Sequence, residues 1–301
     1  MVLTLPALVA VENVFPMDLE RYMQNHSSAC ANVYNNKIVT SIQKYIIENP
    51  LTPLDPTLFG GLNISLEEVR NGSNLGYLNM GSGTTGTREF TSLLCQNNIT
   101  SLHYTKDCGM SPTKSLAKWN GILDNCLIHH DCKSNRELLD QLARTIIQIS
   151  HMKPMPGWSK LGVSDTPIDI LYPYILPVFN LSFMFQTIRD PTTWWYKRRS
   201  EHRFSMFPIC KMEYWHKVKH PFDIIGCLHL GDVPQSVLMS HQDYDDTVAN
   251  VIYIEAYKKM TIYNSLITPK GKLHIMCLWD HSRNESILSS DVLGLILSDL
   301  S

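Results

Sequence analysis

The chain lacks several things that would have classified it at once. It has no apolar run near the ~20 residues that a membrane-spanning helix needs. Its most apolar stretch, the N-terminal MVLTLPALVAVENVFP, is too short to span a bilayer and has no basic flank of the signal-peptide kind. Charge of one sign is also missing. A formal net charge of −2 argues against a general nucleic-acid binder, which carries a strong basic excess. There are no internal repeats and no low-complexity segment. The eight cysteines, Cys30, Cys95, Cys108, Cys126, Cys132, Cys210, Cys227 and Cys277, include no CxxC pair. They form no recognisable disulfide or zinc framework, and most of them read as buried apolar residues; whether any of them pair is left open.

What is present is an ordinary globular balance over 301 residues, 44% hydrophobic and 18% charged, enough for a sizeable α/β core. Six N-x-S/T sequons stand out, at Asn25, Asn63, Asn71, Asn98, Asn180 and Asn284. Nineteen asparagines would give roughly three by chance at this Ser/Thr content. The excess leans toward the secretory pathway, although two of the six sit in apolar, strand-like contexts where a glycan would not fit. Localisation stays open between the cytoplasm and the Golgi lumen.

Residues 1–74 read as an N-terminal extension. They hold one helical stretch, KIVTSIQKYIIEN, with Ile38, Ile42 and Ile46 at steps of four, then a Pro/Gly-rich connection. From 75 to 301 strands alternate with helices. LGYLNM is a short apolar strand, TREFTSLLCQ puts Phe90, Leu93 and Leu94 on one helical face, and ITSLHYT is a second strand. A capping-box pattern at Ser134 and Glu137 announces a helix. LGVS ends at Asp165, and LSFMFQTI ends at Arg189, ahead of a helix opened by Pro191. A long helix (YDDTVANVIYIEAYKKMTIYNSL) and a last strand (KLHIMCLW) follow. This alternation predicts a parallel sheet covered on both faces. Ligands in such sheets bind outside the carboxyl ends of the strands, where the loop at 81, Asp165 and Arg189 all fall.

The loop is Gly81-Ser82-Gly83-Thr84-Thr85-Gly86-Thr87-Arg88. Glycines let backbone N–H groups converge on an anion, and the following helix N-terminus adds partial positive charge. Gly81 and Gly86 have Walker spacing, but Thr87 and Arg88 stand where that pattern places Lys and Ser/Thr. ATP or GTP hydrolysis normally needs that lysine, so a kinase or NTPase is disfavoured. By itself the loop is also what a ligand-free strand-to-helix turn would contain. Further along, TIRDPTTWWYKRRSEHR sets Arg189 at the end of an apolar strand and Lys197, Arg198, Arg199 and Arg203 on the next helix. Arginine presents a planar fork of donors matched to phosphate oxygens. Arg199 and Arg203 read better as a solvated basic face, and Trp194 and Trp195 as helix-packing residues.

These elements, in this order, resemble the sulfotransferases that use 3′-phosphoadenosine-5′-phosphosulfate (PAPS). The likeness rests on the Gly/Thr-rich loop GSGTTGT at 81–87, Asp165-Thr-Pro167, and the RDPxxW element Arg189–Trp194, over roughly residues 75 to 280. It implies a three-layer P-loop NTPase-like fold with a central parallel sheet of about five strands flanked by helices. It also implies transfer of a sulfuryl group from PAPS to a hydroxyl or amine of a small molecule, lipid or glycan, with no metal and no nucleic-acid partner. The loop residues 81–88 would hold the 5′-phosphosulfate and Arg189 the 3′-phosphate. Two positions depart from the family. Thr84 (or Gly81, in another alignment of the loop) replaces a Lys or Arg that assists the leaving phosphate, a task Arg88 would take over. Lys197 replaces a serine ligand of the 3′-phosphate and would serve by charge. A general base belongs at the strand ends, which makes His103 and Asp165 the candidates. The alternative is a catalytically inactive member that keeps the fold and binds nucleotide. The Cys/His-rich segment CLIHHDC at 126–132 and the pair His216 and His220 lack metal-site spacing.

Overall fold

The computed structural model describes residues 32–34, 36–48, 65–81, 85–103, 107–110, 147, 150–164, 172, 176, 178–179, 181–201, 247–269, 271–277 and 294. Five strands, β1 (Leu75–Asn79), β2 (Ile99–Leu102), β3 (Ser159–Ser164), β4 (Phe183–Ile188) and β5 (Leu273–Cys277), form one sheet in the order β2-β3-β1-β4-β5. All four pairings are parallel. The helices are α1 (Asn36–Glu48), α2 (Leu66–Gly72), α3 (Thr87–Gln96), α4 (Pro191–Glu201) and α5 (Thr247–Ile267). The molecule is a three-layer α/β fold with a five-stranded parallel sheet. Among the described residues no helix is long and apolar enough to cross a membrane.

Both faces of the sheet are covered, and the alternation of side chains along each strand shows how. Tyr77 of β1, Phe185 of β4 and Met276 of β5 cluster with Phe90, Leu93 and Leu94 of α3. These are the residues whose spacing predicted that helical face. The intervening β4 residues turn the other way, toward α5. Gln186 Nε2 donates to the Thr261 carbonyl at 2.9 Å, and Ser265 Oγ donates to Gln186 Oε1. The centre of the sheet is dry: all five residues of β1 are buried.

Described parts of the N-terminal segment pack onto this body. Tyr34 is buried, its hydroxyl 2.9 Å from Ser265 Oγ of α5, and Val33, Ile42 and Val69 are buried as well. Helix α2 was not anticipated. Its signal is a capping box, with Ser65 Oγ accepting from Glu68 N–H and Glu68 Oε2 accepting from Ser65 N–H.

The cysteines need a correction. Cys95, at the end of α3, is joined to Cys108 in a disulfide, and Cys277 is disulfide-bonded too. A short antiparallel return after β2, bridging Ser101 and Cys108, carries the second sulfur back to α3. Spacing in the sequence cannot show that return. Asn98 also departs from expectation for a sequon beside an apolar strand: it is exposed, in the turn between α3 and β2.

Candidate anion-binding site

Three predicted site positions among the described residues follow the carboxyl ends of parallel strands, so one edge of the sheet gathers them. Gly81 comes two residues after β1, His103 directly after β2, and Arg189 directly after β4. Strand β3 ends at Ser164, next to Asp165, which lies outside the described residues together with Ser82, Gly83, Thr84 and Arg203. The Cys126–Cys132 segment, His216, His220 and the Ser134 cap lie outside them too.

At the β1–α3 junction, Gly81 is needed first for packing. A Cβ there would fall 2.0 Å from Thr187 Oγ1 and 2.6 Å from the Thr187 carbonyl oxygen, so only glycine lets the loop leave alongside β4. Asn79, fully buried, ties the same two strands: its Oδ1 accepts from Gly81 N–H at 2.9 Å and from Thr187 N–H at 3.3 Å. With its oxygen so occupied, the amide Nδ2 is a buried donor with no hydrogen-bond partner among the described residues. Thr85, also buried, reaches Thr187 Oγ1 at 3.0 Å.

Gly86 then opens α3 with φ 88°, a left-handed value that suits glycine, and offers no side chain to cap the helix. The first N–H groups of α3 are therefore left without a side-chain cap from this position, the arrangement that favours an anion. Thr87, in the Walker lysine position, points inward. Its Oγ1 lies 3.2 Å from His103 Nε2, and both residues are buried. Beneath them Thr91 Oγ1 meets Ser164 Oγ at 2.7 Å, and Ser101 Oγ donates to Thr91. His103 is 2% exposed, and its own N–H donates to Asp107 Oδ1. Burial pushes the Asp107 carboxyl above its usual range, with that hydrogen bond working the other way. The geometry gives His103 the task of holding Thr87 at the start of α3. Arg88 stands on the exposed side of the same turn.

At the β4–α4 junction, Arg189 is 7% exposed. Tyr257 of α5 clasps its backbone, accepting from Arg189 N–H and donating to the Arg189 carbonyl, each at 3.1 Å. Burial drives the Tyr257 hydroxyl pKa well up, so it stays a neutral donor. Asp190 caps α4, its Oδ1 accepting from Thr193 N–H at 3.0 Å, and Pro191 occupies the first helical position. Asn32 Nδ2 donates to the other carboxylate oxygen at 2.9 Å. Burial opposes the charge on Asp190, but these hydrogen bonds outweigh it and hold the carboxyl below its usual range. Trp194 stacks on Tyr257, ring centroids 4.3 Å apart, and Trp194 and Trp195 are both buried. Lys197 is exposed.

The sequence reading missed Asn79, Thr187 and Tyr257. A polar residue closing an otherwise apolar strand could have flagged Asn79; Tyr257 sits in a long apolar helix with nothing to mark it. Among the described residues no group of three or more His, Cys, Asp or Glu side chains is placed to hold a metal ion. No protein-family model matches the chain, and a search of curated proteins finds no match either.

Proposed function

We propose that the chain binds a 3′-phosphorylated adenosine nucleotide at the carboxyl edge of its sheet and transfers a sulfuryl group from PAPS to a hydroxyl or amine of a small molecule, lipid or glycan. The observation that carries the reading is the adjacency of two different anion-attracting features on paired strands. The N-terminus of α3, where Gly86 supplies no side-chain cap, follows β1, and the buried Arg189 follows β4. Neighbouring strands lie about 4.8 Å apart, a separation that suits one ligand bearing two phosphates. The 5′-phosphosulfate would lie on the first N–H groups of α3, with Asn79 Nδ2 supporting the loop from beneath. Arg189 would take the 3′-phosphate that separates PAPS from ATP. Sulfuryl transfer then needs an in-line acceptor, a base and donors for the leaving oxygen. Asp165, next to the end of β3, is the base favoured here; His103 is a positioning residue; Arg88 would serve the leaving phosphate from the loop's rim.

A second reading, a nucleotide binder without transfer activity, is favoured by one observation: Thr87 is turned into the core toward His103, so position 87 offers no side chain where the Walker lysine would reach the transferred group. A P-loop kinase is disfavoured for the same reason. Adenosine 3′,5′-bisphosphate should raise the melting temperature under either of the first two readings, and ATP with magnesium only under the third. Transfer of labelled sulfate from PAPS to a panel of acceptors then separates enzyme from binder.

A further inference from the structure

We propose that Asn98 carries an N-linked glycan, added before the chain folds in an oxidising compartment. Asn98-Ile99-Thr100 is a complete sequon, and its three residues end in very different surroundings. Asn98 is exposed, with φ 57°, a value that asparagine accepts more readily than most residues. Ile99 and Thr100 are both 0% exposed. The Thr100 hydroxyl has no hydrogen-bond partner among the described residues. It is walled in by Gly109, where a Cβ would lie 2.8 Å from Thr100 Oγ1 and 2.4 Å from the Trp158 ring. Valine has the same shape, favours strands and would bury no unpaired hydroxyl. The folded protein therefore gives this hydroxyl no work, whereas the unfolded chain does: it completes the acceptor tripeptide.

Two further observations agree. The Cys95–Cys108 disulfide spans the sequon, and such bonds persist in the oxidising compartments of the secretory route. Asn98 also precedes β2, so a glycan there would leave from the amino edge of the parallel sheet, opposite the candidate site. The sequon at Asn71 differs. Its Ser73 hydroxyl accepts from Leu75 N–H at 3.1 Å, so that hydroxyl has a structural task of its own. In the transfer, Asn98 Nδ2 attacks the anomeric carbon of an oligosaccharide linked to a lipid diphosphate. A C–N bond forms, the anomeric C–O bond breaks, the lipid diphosphate leaves, and the amide gives up one proton.

The test is to make the full chain in a eukaryotic cell and release N-glycans with an amidase that converts the carrying Asn to Asp. Peptide mass then reads position 98. Wild type and Thr100→Ser should show the conversion; Thr100→Val and Asn98→Gln should not. Because the glycan is added to the unfolded chain, a folding defect does not mask the result. In chain refolded from bacteria, which carries no glycan, Thr100→Val should melt above wild type. An unmodified Asn98 in the wild-type chain, a glycan kept by Thr100→Val, or a Thr100→Val variant that melts below wild type would each overturn the proposal.

Discussion

The two junctions that meet at the carboxyl edge of the sheet are finished in opposite ways. After β4, the helix cap and the backbone are held by matched partners: Asp190 caps α4, Asn32 braces Asp190, and Tyr257 holds the backbone of Arg189 from both sides. After β1, glycine stands where a cap would be, and the buried Asn79 amide has no partner among the described residues. Uncompensated buried donors cost free energy. The difference teaches where a ligand would contribute. One junction fixes a cation, and the other keeps N–H groups in reserve.

Breaking the packing at the unfinished junction should have the largest effect. Gly81→Ala puts a Cβ into Thr187 backbone and side chain, and should cost about 3 kcal/mol, at the upper end for overpacking, read from denaturant midpoints. Gly86→Ala forces alanine to φ 88° and should cost ~1–2 kcal/mol by the same measurement. At the finished junction, Asp190→Ala removes a cap, with a loss of about 1 kcal/mol. Because the folded Asp190 pKa is lowered, its contribution is full above the ordinary aspartate pKa and is lost as pH falls through the folded value. The variant's deficit in thermal melts should therefore be present at neutral pH and shrink in acid. The smallest effect belongs to Asp107. Its carboxyl is shifted up by burial, so ionisation burdens the folded state above that raised pKa. Asp107→Asn should melt slightly higher than wild type at pH 7, and the gain should vanish below the ordinary aspartate pKa, where both states are protonated.

Much of the fold was legible because its strands are short, apolar and bounded. LGYLN and FMFQTI lie at the sheet's centre as β1 and β4, and Phe90, Leu93 and Leu94 face the core as their spacing required. Helix α2 was missed because it is seven residues long and carries no apolar period, although Ser65 and Glu68 announce it. The Cys95–Cys108 bond was not legible, since its geometry depends on a chain return after β2. The site was half legible. Its residue types and strand-end positions could be read: Gly81 and Arg189 follow the ends of β1 and β4. The partner of His103 could not, because the contact with Thr87 exists only once α3 lies across β2.

The central claim is that the two junctions serve one ligand with two phosphates. Melting the protein with adenosine 3′,5′-bisphosphate, and with adenosine 5′-monophosphate, on wild type and Arg189→Ala tests it most directly. Ligand at a hundredfold excess over its Kd should stabilise the wild type by about 2.7 kcal/mol. The bisphosphate should stabilise the wild type well beyond the monophosphate, and Arg189→Ala should remove the difference. Equal stabilisation by both nucleotides, none by either, or a bisphosphate effect that survives Arg189→Ala would contradict the claim.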